Sequence, residues 1–321
     1  MSAWLLRAFG VLLMLTALAL ALSRAPDRPV ETLVARWALP PSDFIEIKGQ
    51  LVHLRDEGPR DDPLPIVLIH GTSASLHTWE GWVQALRGQR RVISFDLPGF
   101  GLTGPYSPDF TGDYPHERYQ GDAYARFTLD LLDTLKVGRF VIGGNSLGGE
   151  VAWRTVYLAP QRVASLILVD AAGPPFTPQS MPIGFRIARI PVLNRIMEWV
   201  LPRSMVAASL ASVYGNPATI TPELVDRYFE LTLRDGNRRA LAQRVQRLVP
   251  GEDAERIATL KLPTLILWGG RDRLIPPEIA RVFERQIAGS KLVMFDDLGH
   301  VPHEEDPART VLPVRAFLGL Q

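Results

Sequence analysis

Residues 143–149, GGNSLGG, set a serine between glycines where the apolar run Phe140-Val141-Ile142 gives way to a helical pattern over 150–158. The spacing Gly144-Asn145-Ser146-Leu147-Gly148 is the nucleophile-elbow pattern G-x-S-x-G. A turn this sharp forces Ser146 into a strained backbone conformation, and side chains at 144 and 148 would collide with neighbouring backbone. The strain lifts Oγ above the sheet, and the N-terminus of the following helix offers N–H groups to a developing oxyanion. A Gly/Ser-rich turn that merely ends a strand has the same five residues, so the partners of Ser146 decide between the two readings.

A serine nucleophile needs a base to take its proton, a carboxylate to orient that base, and donors for the oxyanion. His300 follows the strand-like run 292–295, and Gly299 permits a tight turn that presents the imidazole above a sheet. Two carboxylates compete for the acid. Asp272 lies in the turn Gly269-Gly270-Arg271-Asp272 after the run 264–268, and Asp170 ends the run 165–169. Asp272 is preferred because Ser, Asp, His with the acid after the later strand is the usual chain order for this class of triad. Asp170 reads alternatively as a carboxylate that caps a turn through backbone N–H groups. The oxyanion donors are expected from Leu147 N–H and, in the loop His70-Gly71-Thr72-Ser73, from Thr72 N–H. His70 is expected to brace that loop. Among the other histidines, His53 is expected on the exposed face of a first hairpin, and His77, His116 and His303 as solvated side chains.

These residues need strand ends to hold them. Residues 44–54 alternate apolar and polar around Gly49 and read as a hairpin. Strand-like runs follow at 66–69, 92–95, 140–142, 165–169, 264–268 and 292–295, short and bounded by Gly, Pro or Asp, as buried parallel strands are. Helical patterns lie between them at 79–86, 123–135, 150–158, 277–287 and 309–318. The alternation predicts an α/β fold, a doubly wound, mostly parallel sheet with ligands at the carboxyl ends of its strands. Residues 173–260 contain no strand, only helical segments at 183–201, 204–213, 222–233 and 239–248. They are expected to form a helical cap that lids the site. The core is then 44–172 with 261–321.

The chain of 321 residues is 46% hydrophobic, enough for one large domain with an insertion. Its 35 basic and 34 acidic residues leave no field or basic stripe for nucleic acid, which is excluded as a partner. With no cysteine, thiol chemistry, disulfides and thiolate metal sites are excluded as well. Residues 1–25 differ from the rest: Ala8 to Ser23 carry no charge and are dense in Leu and Ala. This is a targeting or anchoring segment, either a signal peptide or an uncleaved anchor, with the anchor preferred and 26–43 a linker. The expectation is a membrane-associated or exported protein, at the inner membrane or periplasm in a bacterium.

The loop at His70-Gly71, the segment Phe95-Asp96-Leu97-Pro98-Gly99-Phe100-Gly101, the Ser146 elbow, the Asp272 turn and Gly299-His300-Val301-Pro302-His303-Glu304-Glu305-Asp306-Pro307 together resemble the α/β-hydrolase superfamily. The resemblance spans about residues 44–318 and is nearest the capped branch of esterases, epoxide hydrolases and carbon–carbon hydrolases. It implies a structural role for Asp96. It also argues against haloalkane dehalogenases and epoxide hydrolases, which would carry Asp at position 146.

Acyl transfer to water remains. Asn145 is shared with hydrolases of meta-cleavage diketo acids, but that group commonly has Trp directly after the catalytic His, where this chain has Val301. Hydrolysis of a carboxylic ester therefore ranks first, carbon–carbon hydrolysis second, and amide or lactone hydrolysis after it. A non-catalytic scaffold is the reading outside enzymes. In the expected mechanism His300 deprotonates Ser146, Asp272 holds the tautomer, and water releases an acyl-enzyme. The partner is a small ester-type substrate with an apolar acyl group. No metal or organic cofactor is implied, since the His and carboxylates show no ligand spacing beyond the triad.

Overall fold

The computed structural model describes residues 3–112, 118–188, 190 and 198–320. Eight strands form one sheet: β1 Ser42–Ile47, β2 Gln50–Glu57, β3 Ile66–Ile69, β4 Val92–Phe95, β5 Phe140–Asn145, β6 Val163–Val169, β7 Thr264–Gly269 and β8 Lys291–Phe295. Their order is β1-β2-β4-β3-β5-β6-β7-β8. The β1–β2 and β2–β4 pairs are antiparallel, and every pair from β4–β3 to β7–β8 is parallel. This is the α/β, mostly parallel sheet expected, with an antiparallel hairpin at one edge.

The period-two geometry of strands divides the core in two. Val67, Ile69, Leu166, Leu168, Ile266 and Trp268 face one apolar cluster, while Ile66, Leu68, Ile167, Val169, Leu265 and Leu267 face the other. The first cluster packs under α4 (Gly121–Thr134), α5 (Leu147–Leu158) and α10 (Glu278–Gln286). The second packs under α3 (Glu80–Leu86) and α11 (Pro307–Phe317). A sheet covered on both faces leaves its carboxyl edge as the place where loops can gather polar groups.

Between β6 and β7 the chain forms a cap of α6 (Ile183–Ala188), α7 (Arg203–Val213), α8 (Pro222–Thr232) and α9 (Asn237–Arg247). Pro222 at the first turn and Thr221 at the N-cap, whose hydroxyl accepts from Leu224 N at 3.2 Å, start α8 where its sequence pattern begins. The cap is fastened to the core. Arg154 of α5, almost wholly buried, pairs with Glu150, Asp122 and the cap-side Asp253 at 3.0, 2.7 and 2.8 Å.

The N-terminal helix α1 (Ala3–Leu22) exposes Trp4, Leu6, Phe9, Leu12, Met14 and Leu18, none of which joins a buried cluster. Among the described residues no helix is long and apolar enough to cross a membrane. After α1, the chain is stitched to the cap: Ala25 N donates to Trp199 O at 2.9 Å, Leu201 N to Ser23 O at 3.1 Å, and Arg28 N to Leu233 O at 2.6 Å. A short helix α2 (Glu31–Trp37) follows, with Leu33 buried against Leu102 and Leu231.

Three histidines expected at the surface are buried. His53, at 0% exposure, points from β2 to Asp96, with Nδ1 2.7 Å from Asp96 Oδ2. His77 lies between Ser75 Oγ at 2.9 Å and Trp37 O at 2.8 Å. His303 stacks on Trp79 with ring centroids 4.0 Å apart. Local alternation and polar neighbours in sequence suggested solvent, but each ring instead faces a residue distant in the chain. His116 lies outside the described residues.

Candidate active site

Ser146 stands between β5 and α5 with φ 54° and ψ −115°, outside the regions that side chains ordinarily occupy. The neighbouring glycines make this turn sterically feasible. A Cβ on Gly144 would lie 2.1 Å from Gly148 O, and one on Gly148 would lie 2.0 Å from Ile69 O. The turn is then locked by Ser146 N donating to Val169 O at 3.1 Å and Ala172 N to Ser146 O at 3.0 Å. Leu147 is the first residue of α5, so its N–H has no carbonyl within the helix to bond.

Across the carboxyl edge, Asp272 and His300 form a bonded pair, Oδ2 to Nδ1 at 2.7 Å, both side chains nearly excluded from solvent. Asp272 is aimed by its own turn: Oδ1 accepts from Leu274 N at 2.8 Å and from Ile275 N at 3.0 Å. His300 and Ser146 face the same cavity, together with Gly71 and Thr72. Among the described residues the N–H groups of Thr72 and Leu147 have no protein acceptor.

Asp170, the rival carboxylate, lies beside this pair. Its Oδ1 accepts from Gly269 N at 3.0 Å, and one oxygen or nitrogen each of Asp170, Asp272 and His300 lies within 4.8 Å of the others. Burial, and then the neighbouring Asp272 carboxylate, push the Asp170 carboxyl well above the usual carboxylate range. The shift favours the protonated form of Asp170 relative to an ordinary carboxyl. These donor types also suit a cation, although His300 Nδ1 is already bound to Asp272.

His70 braces its loop. Its Nδ1 donates to Gly71 O at 2.7 Å and its Nε2 accepts from Leu97 N at 3.0 Å. Asp96 ties the next loop, with Oδ1 accepting from Leu76 N at 2.7 Å and Oδ2 from Leu102 N at 2.8 Å. Burial works to raise its pKa, but His53, His70 and His77 around it hold the carboxyl well below the usual range.

Two residues shape the site in ways the sequence pattern did not disclose. Asn145 Nδ2 donates to Val169 O at 3.1 Å and to His300 O at 2.9 Å, so the residue beside the elbow clamps the backbone of the histidine. Glu305 accepts from Gly299 N at 2.7 Å and Gly215 N at 2.8 Å, and His300 N donates to Val213 O at 2.7 Å. The histidine loop is thereby docked onto the end of cap helix α7. The only signal for Glu305 was its place in the segment after His300. Nothing in the chain's periodicity marks Asn145 as a clamp.

Residues 65–307 match the family model described as alpha/beta hydrolase fold. An uncharacterized protein of Mycobacterium bovis, Mb2734, is 32% identical over 267 residues, covering 79% of this chain and 74% of its own length. Among solved structures, a thermophilic esterase from Thermogutta terrifontis is 26% identical with a TM-score of 0.67, over 86% of this chain and 98% of that one. A bacterial membrane phospholipase A is 25% identical with a TM-score of 0.67, over 98% of this chain and 95% of that one. By the family match across residues 65–307, the chain belongs to the α/β-hydrolase family.

Proposed function

We propose that this protein is a serine hydrolase of carboxylic esters, working through an acyl-enzyme on Ser146 with Asp272 and His300. The observation that carries the reading is the buried 2.7 Å Asp272–His300 pair facing the same cavity as a serine at φ 54°. His300 Nε2 takes the Ser146 proton while Oγ attacks the acyl carbon. The oxyanion forms between the N–H groups of Leu147 and Thr72. The proton passes from His300 to the leaving alcohol, and water then releases the acid by the same route. A developing imidazolium is balanced by Asp272, which holds Nδ1–H and leaves Nε2 free for proton transfer.

The cavity over Ser146 is walled by Phe185, Leu201, Met205, Val206 and Leu210, which favours apolar substituents on the ester. The likeness to an esterase supports the same bond type. Asn145 Nδ2 is engaged by the backbone carbonyls of Val169 and His300, a structural task that does not depend on the bond cleaved. Membrane association through residues 1–25 belongs to the same proposal. It is supported by the exposed apolar side chains of α1 and by the likeness to a membrane phospholipase A over 98% of the chain.

A chain-length series of p-nitrophenyl esters, run beside a meta-cleavage diketo acid, tests the reaction. Turnover of the esters with a preference for apolar acyl chains is expected; a higher kcat/KM for the diketo acid would overturn it. Fractionation of cells that express the full chain or residues 26–321 tests the membrane clause. The full chain is expected in the membrane pellet and the shorter one outside it; equal partitioning would contradict it.

A further inference from the structure

Ser146 lies where two cavities meet. Cavity A, about 170 Å³, is bounded by His300, Val301 and the cap side chains Val206 and Leu210. Cavity B, about 290 Å³, is bounded by Leu147, Ala172, Phe176, Val245 and Leu248, and also by Glu150 and Arg244, which pair with each other at 3.4 Å. Thr72, Ser146, Phe185 and Leu274 border both, so Phe185 and Leu274 form the partition above the nucleophile. His300 borders A and not B, whereas Leu147 borders B and not A.

That asymmetry orients the substrate. The tetrahedral adduct on Ser146 Oγ has three other substituents. Its oxyanion points to the N–H groups of Leu147 and Thr72. Its leaving oxygen must lie by His300 Nε2, because the C–O bond breaks as that nitrogen returns the proton it took from Ser146. The acyl chain takes the remaining direction, away from His300. Resting on the ester-hydrolase reading above, we propose that cavity A receives the alcohol arm of the substrate and cavity B the acyl arm, which makes the substrate an ester with two apolar arms.

The sizes set the class. An apolar cavity of about 150 Å³ holds one benzene ring, so A suits an aryl or short branched alcohol. Cavity B is larger and its outer wall carries the exposed Leu248 and Val249, so a longer acyl chain can run past it along the α9 end. The bond that forms is Ser146 Oγ to the acyl carbon, the bond that breaks is the ester C–O, and the proton ends on the alcohol in A.

The test is a crossover on the full chain. Two esters are used, ethyl decanoate with its long acyl arm and 2-phenylethyl acetate with its bulky alcohol arm, and the quantity read is the ratio of their kcat/KM values. A ratio is independent of the fraction of each preparation that folds. Val206→Phe narrows A and is expected to raise the decanoate-to-phenylethyl ratio about tenfold or more. Val245→Phe narrows B and is expected to lower it about tenfold or more, the range over which a hydrophobic pocket discriminates one or two carbon units. Met205→Ala and Met181→Ala, which enlarge A and B, are expected to move the ratio in the opposite senses. Shifts of reversed sign, shifts of the same sign in both Phe variants, or no shift in either would overturn the assignment while leaving ester hydrolysis intact. A wild-type protein that hydrolyses neither ester nor any p-nitrophenyl ester would instead overturn the reaction itself, and the assignment with it.

Discussion

Replacing each of the two carboxylates beside His300 by its amide separates their roles, and the structure sets how far each change reaches. In Asp272→Asn the amide cannot orient freely. Leu274 N and Ile275 N, at 2.8 and 3.0 Å, both donate to the Oδ1 position, so the amide oxygen is drawn there and the NH₂ is turned to His300. A donor at that place requires an acceptor at Nδ1, which moves the imidazole proton to Nε2, where it blocks removal of the Ser146 proton. The loss expected for a triad held in the wrong tautomer is about 10⁴ in kcat, roughly 5.5 kcal/mol of transition-state stabilisation. Asp170→Asn is different. Burial and the neighbouring Asp272 push the Asp170 carboxyl toward the protonated form, its Oδ1 holds Gly269 N at 3.0 Å, and an amide preserves that acceptor without a charge. The expected change is less than about tenfold, the cost of altering one neutral hydrogen bond. Steady-state hydrolysis of a p-nitrophenyl ester at pH 8 measures both. If Asp170→Asn lost several orders of magnitude and Asp272→Asn kept most of its rate, the assignment of the acid and the tautomer argument would both be wrong.

The raised Asp170 carboxyl also has a stability signature. Its folded pKa lies above its unfolded value, so the folded state binds more protons, and stability falls as pH rises from the ordinary carboxylate range toward the folded pKa. Asp170→Asn removes that dependence, and its Tm relative to wild type is expected to increase from pH 4 to pH 7; a constant difference would show that Asp170 is ionised in the fold. Gly148→Ala places a Cβ 2.0 Å from Ile69 O and is expected to cost about 3 kcal/mol or more in urea unfolding, whereas Gly138→Ala, with open space around it, is expected to change stability by less than about 1 kcal/mol. Asn145→Ala leaves the carbonyls of Val169 and His300 without their shared donor. A fall of about tenfold or more in kcat is expected with KM little changed, since the clamp acts on the position of His300; a change confined to KM would mean that Asn145 serves only as cavity wall.

The strands β3 and β4 begin and end where their apolar runs do, at 66–69 and 92–95, because Pro, Gly or Asp closes each run and burial on both faces leaves no competing pattern. Helix ends were less legible. The α5 helix starts at Leu147, inside the glycine-rich turn, because the elbow makes Ser146 its N-cap rather than a loop residue. The burial of His53 was hidden, since its partner Asp96 lies at the end of a strand on the far side of a loop and only tertiary structure brings the two within 2.7 Å. The same limit applies to Asn145 and Glu305. Each binds backbone rather than a matching side chain, so neither leaves a complementary residue in the sequence. Asp170 was legible as a carboxylate near the site, but not as one whose pKa is raised. The upward shift follows from full burial beside a second carboxylate, which spacing along the chain does not express.

The central claim is that Ser146 is a nucleophile activated by His300. It is tested most directly by a fluorophosphonate probe, which reacts only with an activated serine, followed by mass spectrometry of the labelled peptide. Stoichiometric labelling on Ser146 in wild type, none in Ser146→Ala and strongly slowed labelling in His300→Ala are expected. Absence of labelling in folded wild type, or labelling that persists in Ser146→Ala, would contradict the account.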